Sequence, residues 1–400
     1  MENRYRLYLI LFLFLLPSIG QAQSGYDFSI KPDLWYNDVD GIRIGSFFEG
    51  RAMGTGHEGP HRLDGGFWIS TWIPALPVSY RITYTQPLTN YLTNPNELNL
   101  QLHSSVREGY QNHSVSINKR WQNHQHYRNY WESGLIYSME KRFDDEYVNF
   151  PLMWGNQWKG LIKPYLEHQY LTGIGIFNMK LESRFNTLDP YFYTASLNIS
   201  QQIRLGGSWE VRIRGYGEII DDNSPEEYWL TLGSGGYINT LGSRMSRSKG
   251  TVPVQWVNRG IVHFSGGPNM RGYQKYDINS ILDGTPRAFQ SIGALNLEFD
   301  FPNPVQTSIR NIDQLSEFLS FRSYLFSDIA LASSHLDSDL DGSFANFGAG
   351  LALTLNIPDF FGKPRGFVIR YESPFYLTDP VGEDRFKWRH LLGFGATIIF

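Results

Sequence analysis

The sequence predicts an all-β protein, a transmembrane antiparallel β-barrel of about sixteen strands, on the strength of three observations. Short segments of alternating polarity recur from about residue 41 to the end. The 400 residues include 11 Trp, 24 Tyr and 27 Phe, yet only 41% are hydrophobic and mean hydropathy is -0.34. The N-terminus reads as an export signal. A wall that is apolar outside, polar inside and ringed by aromatics at both interfaces combines these traits. A soluble sandwich would carry shorter strands with a polar outward face.

Residues 1–22 have the build of a secretory signal peptide. Arg4 and Arg6 precede the apolar run Leu7–Ile19, Pro17 breaks that run late, and Gly20 and Ala22 form the small-x-small end. Residues 23–40 are expected to be a short periplasmic segment and 41–400 the outer-membrane barrel, leaving no room for a periplasmic domain. The chain has no Cys, which excludes a disulfide scaffold, a thiolate metal site and a lipid anchor on cysteine. A net charge of -4 and a pI near 6.2 offer no field to attract nucleic acid. Beyond the signal, nothing approaches the ~18 consecutive apolar residues of a helical span.

Along the rest of the chain the period is two. Val78, Tyr80, Ile82 and Tyr84 share one strand face while Ser79, Arg81, Thr83 and Thr85 share the other. Leu98, Leu100 and Leu102 oppose Asn99, Gln101 and His103 in the same way, and Phe367, Ile369 and Tyr371 oppose Arg370 and Glu372. Further strands are expected near Ile42, Phe67, Val115, Gly134, Ile162, Tyr193, Val211, Tyr228, Leu295, Phe318, Ala349 and Leu392. The 378 residues after position 22 allow each of sixteen strands about 24 with its connection, against the ~10 needed to span when tilted. Fourteen or eighteen strands fit as well. The longest stretch without clean alternation runs from Gly233 to Gln290, and so long a loop in a compact domain is usually functional.

Within that stretch stands Ser265-Gly266-Gly267-Pro268-Asn269-Met270-Arg271-Gly272-Tyr273, and the strand that follows carries Glu298 four residues before Pro302. Phe326-Ser327-Asp328 lies one strand further on, and the chain ends Gly395-Ala396-Thr397-Ile398-Ile399-Phe400. Together these resemble the BamA/TamA superfamily of outer-membrane insertases and two-partner secretion translocators, of bacterial surface antigen type. Asp40-Gly41-Ile42-Arg43-Ile44-Gly45 matches its opening more loosely. The resemblance implies a long loop folded into the lumen, with Gly266 and Gly267 leading to the tip Arg271-Gly272-Tyr273. It also implies an assembly signal at Gly395, Ile398 and Phe400. With 23–40 expected to be only a short segment, the chain is expected to depart from the family in having no POTRA modules. Elementary chemistry agrees with the loop assignment, because an arginine carried inside a barrel needs carboxylates and neighbouring strands offer Glu298 and Asp328.

Other constellations are weaker. His57-Glu58-Gly59-Pro60-His61 spells a zinc-protease motif, but Gly and Pro forbid the helix that would bring both histidines to one face. His124 and His126 flank Gln125 among polar neighbours and read as a wet loop. Asp337, Asp339 and Asp341, with Gly342 following, have the spacing of a calcium loop, although Gly348 replaces the glutamate of an EF-hand at the twelfth position. A loose calcium clip or a solvated acidic loop both fit; no other cofactor is expected. No nucleophile elbow occurs, and an enzyme is not expected.

The resemblance implies a barrel in the bacterial outer membrane that assists insertion or translocation of membrane or secreted proteins. Its expected partners are outer-membrane lipid, the barrel assembly machinery for its own insertion and a separately encoded periplasmic protein. The alternative is a stand-alone pore or structural barrel with the loop as an internal brace.

Overall fold

Alternating polarity becomes strand along nearly the whole chain. The computed structural model describes residues 26–396 apart from 53–61, 74–76, 89–95, 97, 123–128, 234–246, 252–253, 265, 283–286, 335–340 and 359–363. The first strands are β1 (Tyr26–Asn37), β2 (Gly41–Ala52), β3 (Arg62–Ser70), β4 (Val78–Pro87), β5 (Leu98–Arg107) and β6 (Tyr110–Gln122). They are followed by β7 (Tyr130–Arg142), β8 (Lys159–Thr172), β9 (Gly175–Asn186), β10 (Tyr193–Gly206) and β11 (Trp209–Ile220). The long connection that follows carries α1 (Val254–Val257), the two-residue β12 (Val262–His263) and α2 (Gln274–Leu282). Next come β13 (Ser291–Phe301), α3 (Pro304–Arg310), α4 (Asp313–Phe318), β14 (Leu319–Ser333), β15 (Gly342–Pro358), β16 (Pro364–Leu377) and β17 (Leu391–Ala396).

All seventeen strands belong to one sheet. Setting β12 aside, each strand pairs antiparallel with the next along the chain. β12 instead lies parallel to β17, with Val262 opposite Leu392 and His263 opposite Gly393. One edge of β17 is taken by β16, so β12 holds part of the other edge. Among the described residues no pairing joins β1 to β17. In such a meander the connections fall alternately at two ends. The long connection shares its end with the β5–β6 and β7–β8 turns, while α3 and α4 lie at the opposite end.

Two expectations need correction. The segment 23–40 is not a mere lead-in, since Tyr26–Asn37 forms β1 and pairs through its full length with β2. Its alternation of Phe28, Ile30 and Leu34 with Ser29, Lys31 and Asp33 is masked by Pro32, which an edge strand tolerates. The strand expected near Tyr228 is a 3₁₀ turn, Glu226–Tyr228, followed by one bridge between Leu230 and Phe289. The signal peptide, the Asp337–Asp339 pair, Ile398, Phe400 and the histidines at 57, 61, 124 and 126 lie outside the described residues.

The two faces of the sheet have inverted polarity. In β13, Leu295 and Phe299 are exposed while Asn296, Glu298 and Asp300 are buried; in β14, Leu325, Ile329 and Leu331 are exposed while Asp328 is fully buried. Leaving a large apolar side chain in water forgoes about 1.5–3 kcal/mol, so a sheet that does this on strand after strand is built for an apolar solvent. The main apolar cluster lies between sheet and long connection, where Leu230, Leu232, Met270, Tyr273 and Tyr276 meet Ile292, Phe344 and Leu377.

Candidate functional site: a loop arginine on the charged face

The wall of the site is built by cross-strand complementarity. Tyr324 and Phe326 of β14 stand opposite Gly350 and Gly348 of β15. A Cβ at either glycine would come within 2.4 Å and 2.3 Å of those rings, so only glycine leaves them room to lie flat on the sheet. The Phe326 ring becomes a platform, and the Arg271 guanidinium sits 3.8 Å from its centre.

The turn that delivers Arg271 depends on backbone freedom. Gly266 and Gly267 have φ of +142° and +54°, and Asn269 has +55°. Arg214 donates to the Gly267 carbonyl at 2.7 Å, tying the turn to β11. Gly272, at φ +93°, turns the chain beside Pro374 and Leu377. Tyr273 is then fully buried, its hydroxyl donating to the Ala345 carbonyl at 2.9 Å.

Arg271 is itself fully buried. Its Nε and Nη2 donate to the two oxygens of Asp328 at 2.8 and 2.6 Å, a forked geometry that an ammonium cannot reproduce. Nη1 donates to Glu298 at 2.8 Å and to Glu372 at 3.0 Å. Asn346 holds both the Arg271 carbonyl, at 2.8 Å, and Asp328, at 2.7 Å. Asn296 bonds Asp328 at 3.0 Å and the Pro268 carbonyl at 3.1 Å. Arg370 closes the network by pairing with Glu298 and with Glu372, and Arg322 reaches Glu298 at 3.1 Å and Asp300 at 2.6 Å. Four carboxylates thus share the fully buried Arg271, the buried Arg370 and Arg322 at the margin, and each acid has a cation within reach.

Glu298 and Asp328, singled out from the sequence, therefore do meet Arg271. Glu372 and Arg370 appeared only as polar-face residues of their strand, and Asn296 and Asn346 carried no signal. Gly395 lies in β17 opposite Val368. Asp341 is exposed and accepts the Ser334 N–H at 2.6 Å. Among the described residues no three His, Asp or Glu side chains gather to hold a metal.

A second anchorage had no sequence signature. Residues 247–251 of the long connection reach strands 100 or more positions earlier in the chain. Glu108, buried and at φ +48°, accepts the Ser248 N–H at 2.7 Å and the Thr251 hydroxyl at 2.9 Å. Arg142 donates to the carbonyls of Glu108 and Lys249, and Lys249 pairs with Glu140 at 3.0 Å. An αL glutamate in a tight turn is a strained choice, sustained here by its hydrogen bonds. The connection is thus bound to β13–β16 at one point and to β5–β7 at another.

Two titratable groups of the connections stand out. Burial lifts the Asp277 carboxyl of α2 to about 7, against the pull of the Gly233 N–H it accepts at 2.7 Å and of Arg287. Glu383, between β16 and β17, goes the other way. Burial would raise it, but Lys275 at 2.7 Å, Tyr276 at 2.8 Å and Lys387 bring it down to about 2.

An antiparallel meander with apolar side chains outside and paired charges on the covered face defines the outer-membrane β-barrel class of fold. Among solved structures, the chain is similar to BamA from Haemophilus ducreyi lacking POTRA domains 1–3, with a TM-score of 0.52 and 13% identity over 92% of this chain and 70% of that one. OccK11 (OpdR) of Pseudomonas aeruginosa gives a TM-score of 0.31 at 11% identity, covering 91% of each chain. No family model and no curated protein matches the sequence.

Proposed function

We propose that the protein is a non-catalytic barrel of the bacterial outer membrane, resembling BamA/TamA, that assists the insertion or translocation of membrane or secreted proteins. In this reading the sheet closes around a lumen, the long connection enters it, and the junction between β1 and β17 is the weak seam at which a client engages. The observation that carries the proposal is the strand edge at β17. Among the described residues its pairing with β12 is two residues long, against ten or more at most other junctions of the sheet, so an incoming strand would have little of this hydrogen bonding to displace. The buried Arg271 network supports it by fixing the connection beside that edge. The expected partners are outer-membrane lipid, the barrel assembly machinery, which would read Gly395, Ile398 and Phe400, and a separately encoded periplasmic protein.

A second reading rests on the double anchorage. A connection tied to two stretches of the wall serves equally as the brace of a pore or structural barrel. The test is to delete the gene and compare the outer-membrane and secreted proteomes, while fractionating the mature chain. The insertase reading expects a heat-modifiable outer-membrane protein whose loss depletes particular outer-membrane or secreted proteins. Unchanged proteomes with a steadily conducting purified barrel would favour the pore, and recovery as a soluble protein would sink both.

A further inference from the structure

At the end opposite the long connection, most of the described turns are tight. Gly173-Ile174 and Gly207-Ser208 each join two strands with two residues, whereas the seventeen residues 302–318, containing α3 and α4, join β13 to β14. These helices and the joint between them leave large apolar side chains in the open, with Val305 51%, Ile312, just before α4, 48%, Leu315 39% and Phe318 46% exposed. Val305 and Ile309 are four apart and Leu315 and Phe318 three apart, the spacings that put side chains on one side of a helix. Polar residues, among them Thr307, Ser308, Asp313, Ser316 and Glu317, occupy most of the other positions.

The apolar side does not end at the helices. Phe318 leads directly into β14, whose outward row is Leu325, Ile329 and Leu331. Beside it, at the same end of the outward face, the exposed rings of Trp209 and Phe299 lie 5.2 Å apart. Polar contacts fix the helices to the barrel, Gln306 accepting the Phe321 N–H at 2.6 Å and Arg310 reaching Ser208 at 3.0 Å. An apolar helical face continuous with a lipid-facing belt and with its aromatic fringe suits the boundary between acyl chains and headgroups.

We infer that α3 and α4 form an interfacial foot, lying in the bilayer surface at the end of the barrel where β1 begins and β17 ends. Val305, Ile312, Leu315 and Phe318 point to the acyl boundary and the polar positions to water. The inference rests on the reading of the sheet as a membrane barrel and adds an extramembrane contact to it. Its structural consequence is that the foot anchors β13 and β14, which supply Glu298 and Asp328.

The sequence contains no Cys, so nitroxide labels can be placed singly without background. Leu315→Cys, Phe318→Cys, Ser316→Cys and Leu325→Cys are reconstituted in vesicles of phosphatidylethanolamine and phosphatidylglycerol, and collisions with oxygen are compared with collisions with a water-soluble nickel chelate. The foot requires oxygen to dominate at Leu315 and Phe318, as at Leu325 on the belt, and the ratio to shift towards the chelate at Ser316. Chelate dominance at Leu315 and Phe318 with oxygen dominance at Leu325 overturns the foot and leaves the barrel standing. Shielding of Leu315 and Phe318 from both reagents also overturns it, in favour of a protein contact. Chelate dominance at Leu325 overturns the barrel and the foot together.

Discussion

Arg271 and Asp328, 57 positions apart, meet through two parallel hydrogen bonds of 2.6 and 2.8 Å while neither side chain is exposed to solvent. The pair joins the tip of the long connection to the middle of β14. Breaking a buried ion pair by removing one partner typically costs about 3–5 kcal/mol, because the other charge is left without compensation. Arg271→Ala is therefore expected to lower the unfolding temperature, and Arg271→Lys to recover only part of the loss. The double change Arg271→Ala with Asp328→Asn should be less harmful than the sum of the singles. Strict additivity in thermal unfolding would show that the two residues do not act as a unit.

Gly272 tests the same site through the backbone. An added Cβ would meet Pro374 Cγ at 3.0 Å and Leu377 Cδ1 at 3.3 Å, at a φ of +93° that L-residues rarely adopt. Gly272→Ala should destabilise by roughly 1–3 kcal/mol although it removes no charge. Limited proteolysis should find new cuts near Tyr273. Unaltered proteolysis and unfolding would mean that the turn has slack.

The second anchorage predicts graded release. Lys249→Met takes one cation from Glu140 but leaves it Lys163 and Tyr110, so the wall itself should survive. In planar bilayers this variant should fluctuate more than the parent protein. Combining it with Arg271→Ala should give larger and steadier currents than either change alone. Identical traces from all four proteins would show that the connection does not obstruct a lumen.

Asp277 predicts a pH response. Its carboxyl has a reference value of 3.8 and rises to about 7 when folded, so the folded state binds the proton more tightly. That stabilisation is complete below pH 3.8, declines as pH rises and is gone above about 7. Amide protection factors in α2, taken relative to the base-catalysed intrinsic exchange rate at each pH, should accordingly be higher on the acid side of neutrality than on the alkaline side. Asp277→Asn should flatten the dependence, since the amide oxygen can still accept from Gly233. A slope that persists in this variant would assign the response to another group.

Period-two alternation, dense aromatics and low mean hydropathy were sufficient to determine a β-sheet with one apolar and one polar face, because side-chain direction in a strand depends only on parity. The Arg271, Glu298 and Asp328 set could also be picked out, but through the resemblance of its motifs to a known family, with which the need of a buried arginine for carboxylates agrees. Register decided the rest. Glu372 joined Arg271 because β15 and β16 carry it to that height, and nothing local to Glu372 announces this. Gly348 and Gly350 became seats for two rings only when β14 was laid against them. Glu108 and Ser248 met across more than a hundred residues through a chain path with no local pattern. Strand parity is a nearest-neighbour property written in the sequence, whereas the meeting of distant strands and loops depends on how all the intervening register shifts add up, and only the folded sheet performs that sum.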